Sequence, residues 1–277
     1  MVKHDGLGLA GEELVGDDLA ASILLLHGLT ATRRYVVHRS RLLPRRGLRI
    51  VSYDARGHGE SDPAPAGSYD YEHLAADAGA VIDAHTGEGR VLLAGHSMGA
   101  HTATAYALRN ADRLAGAVLI GPVVSGAPAA EETLAYWDRL ADGLEGGGVE
   151  GFLRAYEGDL APDWRETVLR FTRERLEAHR HPEAVAQALR EVPRSRPFDG
   201  LAELEFLDLP VLVVASHDEA DPGHPYAVAE AWADSLPQAR LLSEEAGQSP
   251  LAWQGGRLSR AIAEFCESGP VRERLGD

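Results

Sequence analysis

The chain carries a series of short, continuous apolar runs at spacings that leave room for a helix between each pair. Ile23-Leu24-Leu25-Leu26, Leu48-Arg49-Ile50-Val51-Ser52-Tyr53, Val91-Leu92-Leu93-Ala94 and Ala117-Val118-Leu119-Ile120 are bounded by glycine and do not alternate with polar residues. Unbroken apolarity is the mark of strands buried on both faces, and strands separated by crossover segments pair in parallel. Two further runs, Pro210–Ala215 and Ala239–Leu242, extend the pattern. Val228, Trp232 and Leu236 recur at helical spacing between them, and Leu258, Ile262 and Phe265 mark a closing helix. The expected fold class is α/β, a mostly parallel central sheet flanked by helices.

The alternation breaks between residues 127 and 205. Trp164, Val168 and Phe171 share one helical face behind Pro162-Asp163; Val185, Leu189 and Val192 share another behind Pro182. Four glycines between Gly143 and Gly148 mark a flexible joint. The simplest organisation is a core of 1–126 and 206–277 with an all-helical lid, 127–205, inserted between two strands.

A net charge of −16 argues against nucleic acid or an anionic membrane as partner. No apolar run approaches the roughly 20 residues of a membrane span. The start of the chain leads into no long apolar stretch, and Cys266 is the only cysteine, so a reducing, cytoplasmic setting is expected. There is no Gly-rich dinucleotide turn, phosphate-cradling loop or metal-spaced Cys/His cluster, so no cofactor or metal is expected. His179 and His181 are too close along the chain for a helical metal pair and are expected as exposed lid residues.

The chemistry concentrates at Gly95-His96-Ser97-Met98-Gly99, directly after the Val91–Ala94 run. A serine on a sharp strand-to-helix turn needs small neighbours, and Gly95, Gly99, Ala100 and Ala103 supply them. The following helix N-terminus aims free N–H groups at any developing oxyanion. Upstream, His27-Gly28-Leu29-Thr30 closes the first strong strand, and Asp54-Ala55-Arg56-Gly57-His58-Gly59-Glu60-Ser61 follows the next. On these three motifs the chain resembles the α/β-hydrolase superfamily over nearly its whole length.

That resemblance implies Ser97 as nucleophile, backbone N–H donors at Leu29 and Met98 as the oxyanion hole, and a bracing role for His27. It also implies an acid on the loop after Ala215. Asp221, with Pro225, fits the family's Asp-x-x-x-Pro pattern; Asp218 and Glu219 remain alternatives. A histidine base belongs after Leu242, where this chain reads Gly247-Gln248-Ser249-Pro250, with no histidine beyond His224. Gln248 cannot accept the serine proton, and loss of such a base costs on the order of 10⁶-fold in turnover. His224 and His101 are read as packing or hydrogen-bonding residues, not as substitutes. Substrate-assisted proton transfer is the other route.

Three readings follow. The chain is an enzyme diverged to rearrangement, cyclisation or coupling; or an ester or thioester hydrolase inactivated by one replacement, natural or engineered; or a non-catalytic small-molecule receptor. In each the partner is a small to mid-sized, largely apolar molecule with a carbonyl near Ser97. Among the insertion's aromatics, Tyr136, Trp137 and Trp164 are pocket candidates. The sequence leaves the oligomeric state open.

Overall fold

A computed structural model describes residues 1–16, 21–87, 89–217 and 221–276. Asp5 and Gly6, both at positive φ, turn β1 (Val2–His4) back onto β2 (Leu7–Leu9) as a small antiparallel pair. The central sheet holds β3 (Gly11–Leu14), β4 (Ala21–Leu26), β5 (Leu48–Tyr53), β6 (Val91–His96), β7 (Leu114–Ile120), β8 (Val211–Val214) and β9 (Ala239–Leu242). Their spatial order is β3-β5-β4-β6-β7-β8-β9; β3 is antiparallel to β5 and the other pairings are parallel. Each of the six runs is a strand; five are largely buried, while β9, at the sheet edge, is only partly so. The edge strand β3 and the β1–β2 pair were not legible, because Gly11–Leu14 is exposed along its length and carries no apolar pattern.

Strand alternation divides the interior into two cores. Leu24 and Leu26 of β4 face one side, with α2 (Tyr71–Thr86), α3 (Met98–Asn110) and α7 (Tyr226–Ser235). Ile23 and Leu25 face the other, with α1 (Leu42–Arg45), α8 (Gly255–Cys266) and α9 (Gly269–Leu275). Trp232 and Ile262, read from helical spacing, are fully buried on opposite sides.

The turn after β5 shows why its residue types are needed. Asp54 accepts from the N–H of Arg33 and of Glu60 and pairs with the Arg33 guanidinium. Arg56 forks onto both oxygens of Asp77 on α2, at 2.7 and 2.8 Å, with both side chains buried. Ser61 ties the same turn to Asp54 and Ala10.

Between β7 and β8 lie α4 (Glu131–Tyr156), α5 (Pro162–Leu176) and α6 (Pro182–Glu191), which share a small core of their own around Leu140, Phe152 and Leu189. The Gly143–Gly148 run is no loose joint: the chain stays helical and breaks only at Gly148, with φ 59°. Gly143 and Gly151 then pack backbone to backbone, leaving no room for a Cβ at either. The buried face of α5 is Val168, Thr172 and Leu176, so Phe171, read as part of that face, stands exposed at 38%. No described helix is long and apolar enough to cross a membrane.

Candidate active site

β6 ends at His96, and Ser97 takes φ 52° and ψ −116° before α3 begins at Met98. That conformation is strained for a serine and holds only because its surroundings enforce it. The Ser97 N–H donates to the Ile120 carbonyl at 2.8 Å, pinning the turn to the end of β7. A Cβ at Gly95 would strike Gly99, and one at Gly99 would strike the Leu26 carbonyl. The helix therefore starts directly against β4, with Ser97 half-buried at its tip.

The Gly28–Ala31 segment lies against this tip. A Cβ on Gly28 would come within 3.0 Å of His96 Nδ1 and 3.4 Å of Ser97 Cβ. The Ala31 N–H closes a turn onto the Gly28 carbonyl at 3.0 Å, with Thr30 at φ 68°. His27 braces the segment: Nδ1–H donates to Gly28 O and Nε2 accepts from the Ala55 N–H. Burial holds this imidazole down at about 4, so it stays neutral. Among the described residues the N–H groups of Leu29 and Met98 have no protein acceptor.

Beside the tip stand two imidazoles. The His96 and His224 rings lie 5.0 Å apart, centroid to centroid. His224 packs on Gly121, where a Cβ would meet its ring at 3.1 Å. Its Nδ1 lies 2.8 Å from Asp221 Oδ1. Burial alone would depress the His224 imidazole, but the Asp221 charge and hydrogen bond outweigh it and its pKa is raised. Burial would raise the Asp221 carboxyl; His224, with His96 and Arg175, holds it below the usual range. His96, half-buried and facing His224, is lowered to about 3, first by desolvation and then by the His224 charge. These three residues bring one potential ligand atom each within 4.8 Å of one another, but the Arg175 charge bears on all three and opposes a cation there.

A family model for the alpha/beta hydrolase fold matches residues 21–253. The chain belongs to this family. A non-heme haloperoxidase of Rhodococcus erythropolis is 46% identical over 82 residues, and the match spans 29% of this chain and 29% of that protein. A thermophilic esterase from Thermogutta terrifontis is 27% identical with a TM-score of 0.74, covering 94% of this chain and 93% of that one. The enol-lactonase from Burkholderia xenovorans LB400 has a TM-score of 0.76 at 24% identity, covering 95% of this chain and 98% of that one.

Within this alpha/beta hydrolase frame, Gly28, next to Leu29, lies against Ser97, Met98 opens the helix behind it, and Asp221 is bonded to His224, whose ring faces His96. Gln248 does not join them. It is exposed, its side chain accepts from Arg257 at 3.1 Å, and no hydrogen bond links it to Ser97. The loop bearing Gln248 is braced by buried Glu244, which accepts from His217 and Leu251 N–H groups. Asp218 and Glu219, the alternative acids, lie outside the described residues.

His101 is fully committed: Nδ1 bonds the Tyr71 hydroxyl at 2.9 Å and Nε2 accepts from Val123 and Val124 N–H. Tyr136 and Trp137 pack on each other and on the core of the insertion, with Leu29 at the same seam. Trp164 meets Trp253, ring centroids 6.0 Å apart, joining α5 to the segment after Gln248.

His179, expected as an exposed residue, is half-buried and joins the insertion to the core. Its Nδ1 accepts from the Gly59 N–H at 2.8 Å and its Nε2–H donates to Thr30 O at 3.0 Å. Burial lowers it to about 4. A short exposed-looking run, Ala178-His179-Arg180, gave no sequence signal for this contact.

Proposed function

We propose that the chain is a serine acyl hydrolase acting on small ester-type substrates, with His224 in place of the base missing after β9. The observation that carries the reading is the bond between His224 Nδ1 and Asp221 Oδ1 at the serine turn, 2.8 Å long. Among the described residues nothing bonds Nε2 of His224, and the Asp221 bond fixes the tautomer that accepts a proton there. In this account Ser97 Oγ attacks the acyl carbon and passes its proton to His224 Nε2. The N–H groups of Leu29 and Met98 hold the oxyanion. The imidazolium returns the proton to the leaving alcohol, and water then cleaves the acyl-enzyme by the same steps reversed. The helical insertion closes the substrate from solvent as a lid, and Tyr136, Trp137 and Trp164 form part of its apolar wall. The likeness to the Thermogutta terrifontis esterase along nearly the whole chain supports this substrate class.

A second reading is favoured by one fact. Among the described residues, Ser97 Oγ makes no side-chain hydrogen bond. In that reading Ser97 and the two amides only hold a carbonyl, and the Asp221–His224 pair moves a proton on the substrate itself, rearranging it. Ser97→Ala separates the two. Loss of hydrolysis of 4-nitrophenyl acyl esters in this variant, with the fold intact, supports the first; a wild type that hydrolyses none of these esters supports the second.

A further inference from the structure

Arg175 sits in the last turn of α5, three residues after buried Thr172. One of its terminal nitrogens donates to Thr172 Oγ1 at 3.0 Å. Its Nε is buried with no hydrogen-bond partner, and among the described residues no carboxylate pairs with it. Several other arginines of the insertion pair with carboxylates: Arg173 with Glu150, Arg190 with Asp142 and Glu145, Arg194 with Asp138. Arg165 also has a buried Nε without a partner, but its fork is tied to the Leu160 carbonyl. Guanidinium stays charged at any working pH, and a buried charge without a counterion is costly.

The place of this charge is specific. One turn beyond Arg175, His179 binds Thr30 and Gly59, so the end of α5 is fixed to the segment that carries Leu29. Burial depresses the Arg175 guanidinium, while Tyr156, Asp221 and Tyr35 pull it back. The carboxylate among these, Asp221, is already bonded to His224. Tyr156, on the neighbouring α4, is half-buried, and no described residue bonds its hydroxyl.

We propose that Arg175 is an anion subsite that receives a carboxylate at the far end of the substrate. The substrate class is then a small carboxylic acid that also bears an ester or lactone, held with its anion on α5 and its acyl carbon at Ser97. This rests on the acyl-hydrolase reading for the second half and stands on the unmatched guanidinium for the first. The same positive charge explains how a chain of net charge −16 admits an anion.

The test compares mono-4-nitrophenyl adipate with 4-nitrophenyl hexanoate, in which a methyl replaces the carboxylate. Wild type is expected to prefer the adipate ester in kcat/KM. In Arg175→Leu the adipate-to-hexanoate ratio is expected to fall about tenfold or more, through KM, with partial recovery in Arg175→Lys. An unchanged ratio in a folded Arg175→Leu protein would overturn the proposal. Calorimetric binding of free adipate to Ser97→Ala provides a readout without turnover. Binding that is lost in the Ser97→Ala/Arg175→Leu double variant supports the subsite even if neither ester is hydrolysed, in which case only the acyl-hydrolase reading fails. No binding to Ser97→Ala, or equal binding to both proteins, overturns it.

Discussion

Asp221 Oδ1 and His224 Nδ1 lie 2.8 Å apart on one short loop, three residues from each other along the chain. In this family an acid and a base from separate loops are what the sequence motifs imply. In the proposed assignment a single loop carries both, and Gln248, on the loop after β9, turns outward to Arg257.

Replacing either partner tests that geometry. His224→Gln is expected to lower kcat on an activated ester on the order of 10⁴-fold or more, and Asp221→Asn by a comparable factor. Gln248→His, at an exposed position bonded to Arg257, is expected to leave kcat/KM within a few-fold of wild type. Steady-state kinetics on purified, folded variants decide it.

The pH profile follows from the same pair. His224 must be neutral to take the serine proton, and its pKa is raised in the folded chain. The kcat/KM is therefore expected to rise with pH, with a midpoint above the value of about 6.5 for free imidazole. The midpoint belongs to the coupled pair, and Asp221→Asn should move it down.

Three neutral histidines predict acid lability. His27, His58 and His179 pack in a row where the insertion meets the core, the first pair tilted and the second edge-on. Burial holds them near 4, 3 and 4. A folded value below the unfolded one means that their contribution is fully present above about 6.5 and is lost as pH falls through the folded values. Thermal melts from pH 7 to pH 4 should show Tm falling over this range, and His58→Gln should flatten the fall.

The buried fork between Arg56 and Asp77 sets another expectation. With side-chain exposures of 2% and 0%, removal of the carboxylate in Asp77→Ala strands a buried cation. The expected loss is about 3–5 kcal/mol. At this chain length that corresponds to a Tm decrease of roughly 10 °C, read by calorimetry.

The serine turn tolerates no added atoms. Gly99→Ala drives a methyl into the Leu26 carbonyl, a backbone atom that cannot yield. A cost of about 1–3 kcal/mol or more is expected, with loss of turnover as the turn shifts Ser97 and the Met98 N–H. Circular dichroism melts and ester kinetics on the same protein check both parts.

The sheet was legible because doubly buried strands leave unbroken apolar runs, and the serine turn because its glycines sit where backbones touch. β3 left no trace, since an exposed edge strand buries nothing. The role of His179 was hidden for a related reason: its partners, Thr30 and Gly59, are backbone groups more than a hundred residues away. His224 was visible as a residue but not as a neighbour of the serine turn. Its position depends on how the chain after β8 folds back over Gly121, which no local pattern encodes. Arg175 reads as one more surface arginine on an amphipathic helix; only the rotation of α5 onto Val168, Thr172 and Leu176 turns it inward.

Labelling with a fluorophosphonate, followed by intact mass and peptide mapping, tests the central claim most directly. Wild type is expected to gain one adduct on Ser97, Ser97→Ala none, and His224→Gln at least a hundredfold more slowly, on the order expected when a general base is removed. Labelling of His224→Gln at the wild-type rate, or no adduct on the wild type, would contradict the assignment of His224 as the base that activates Ser97.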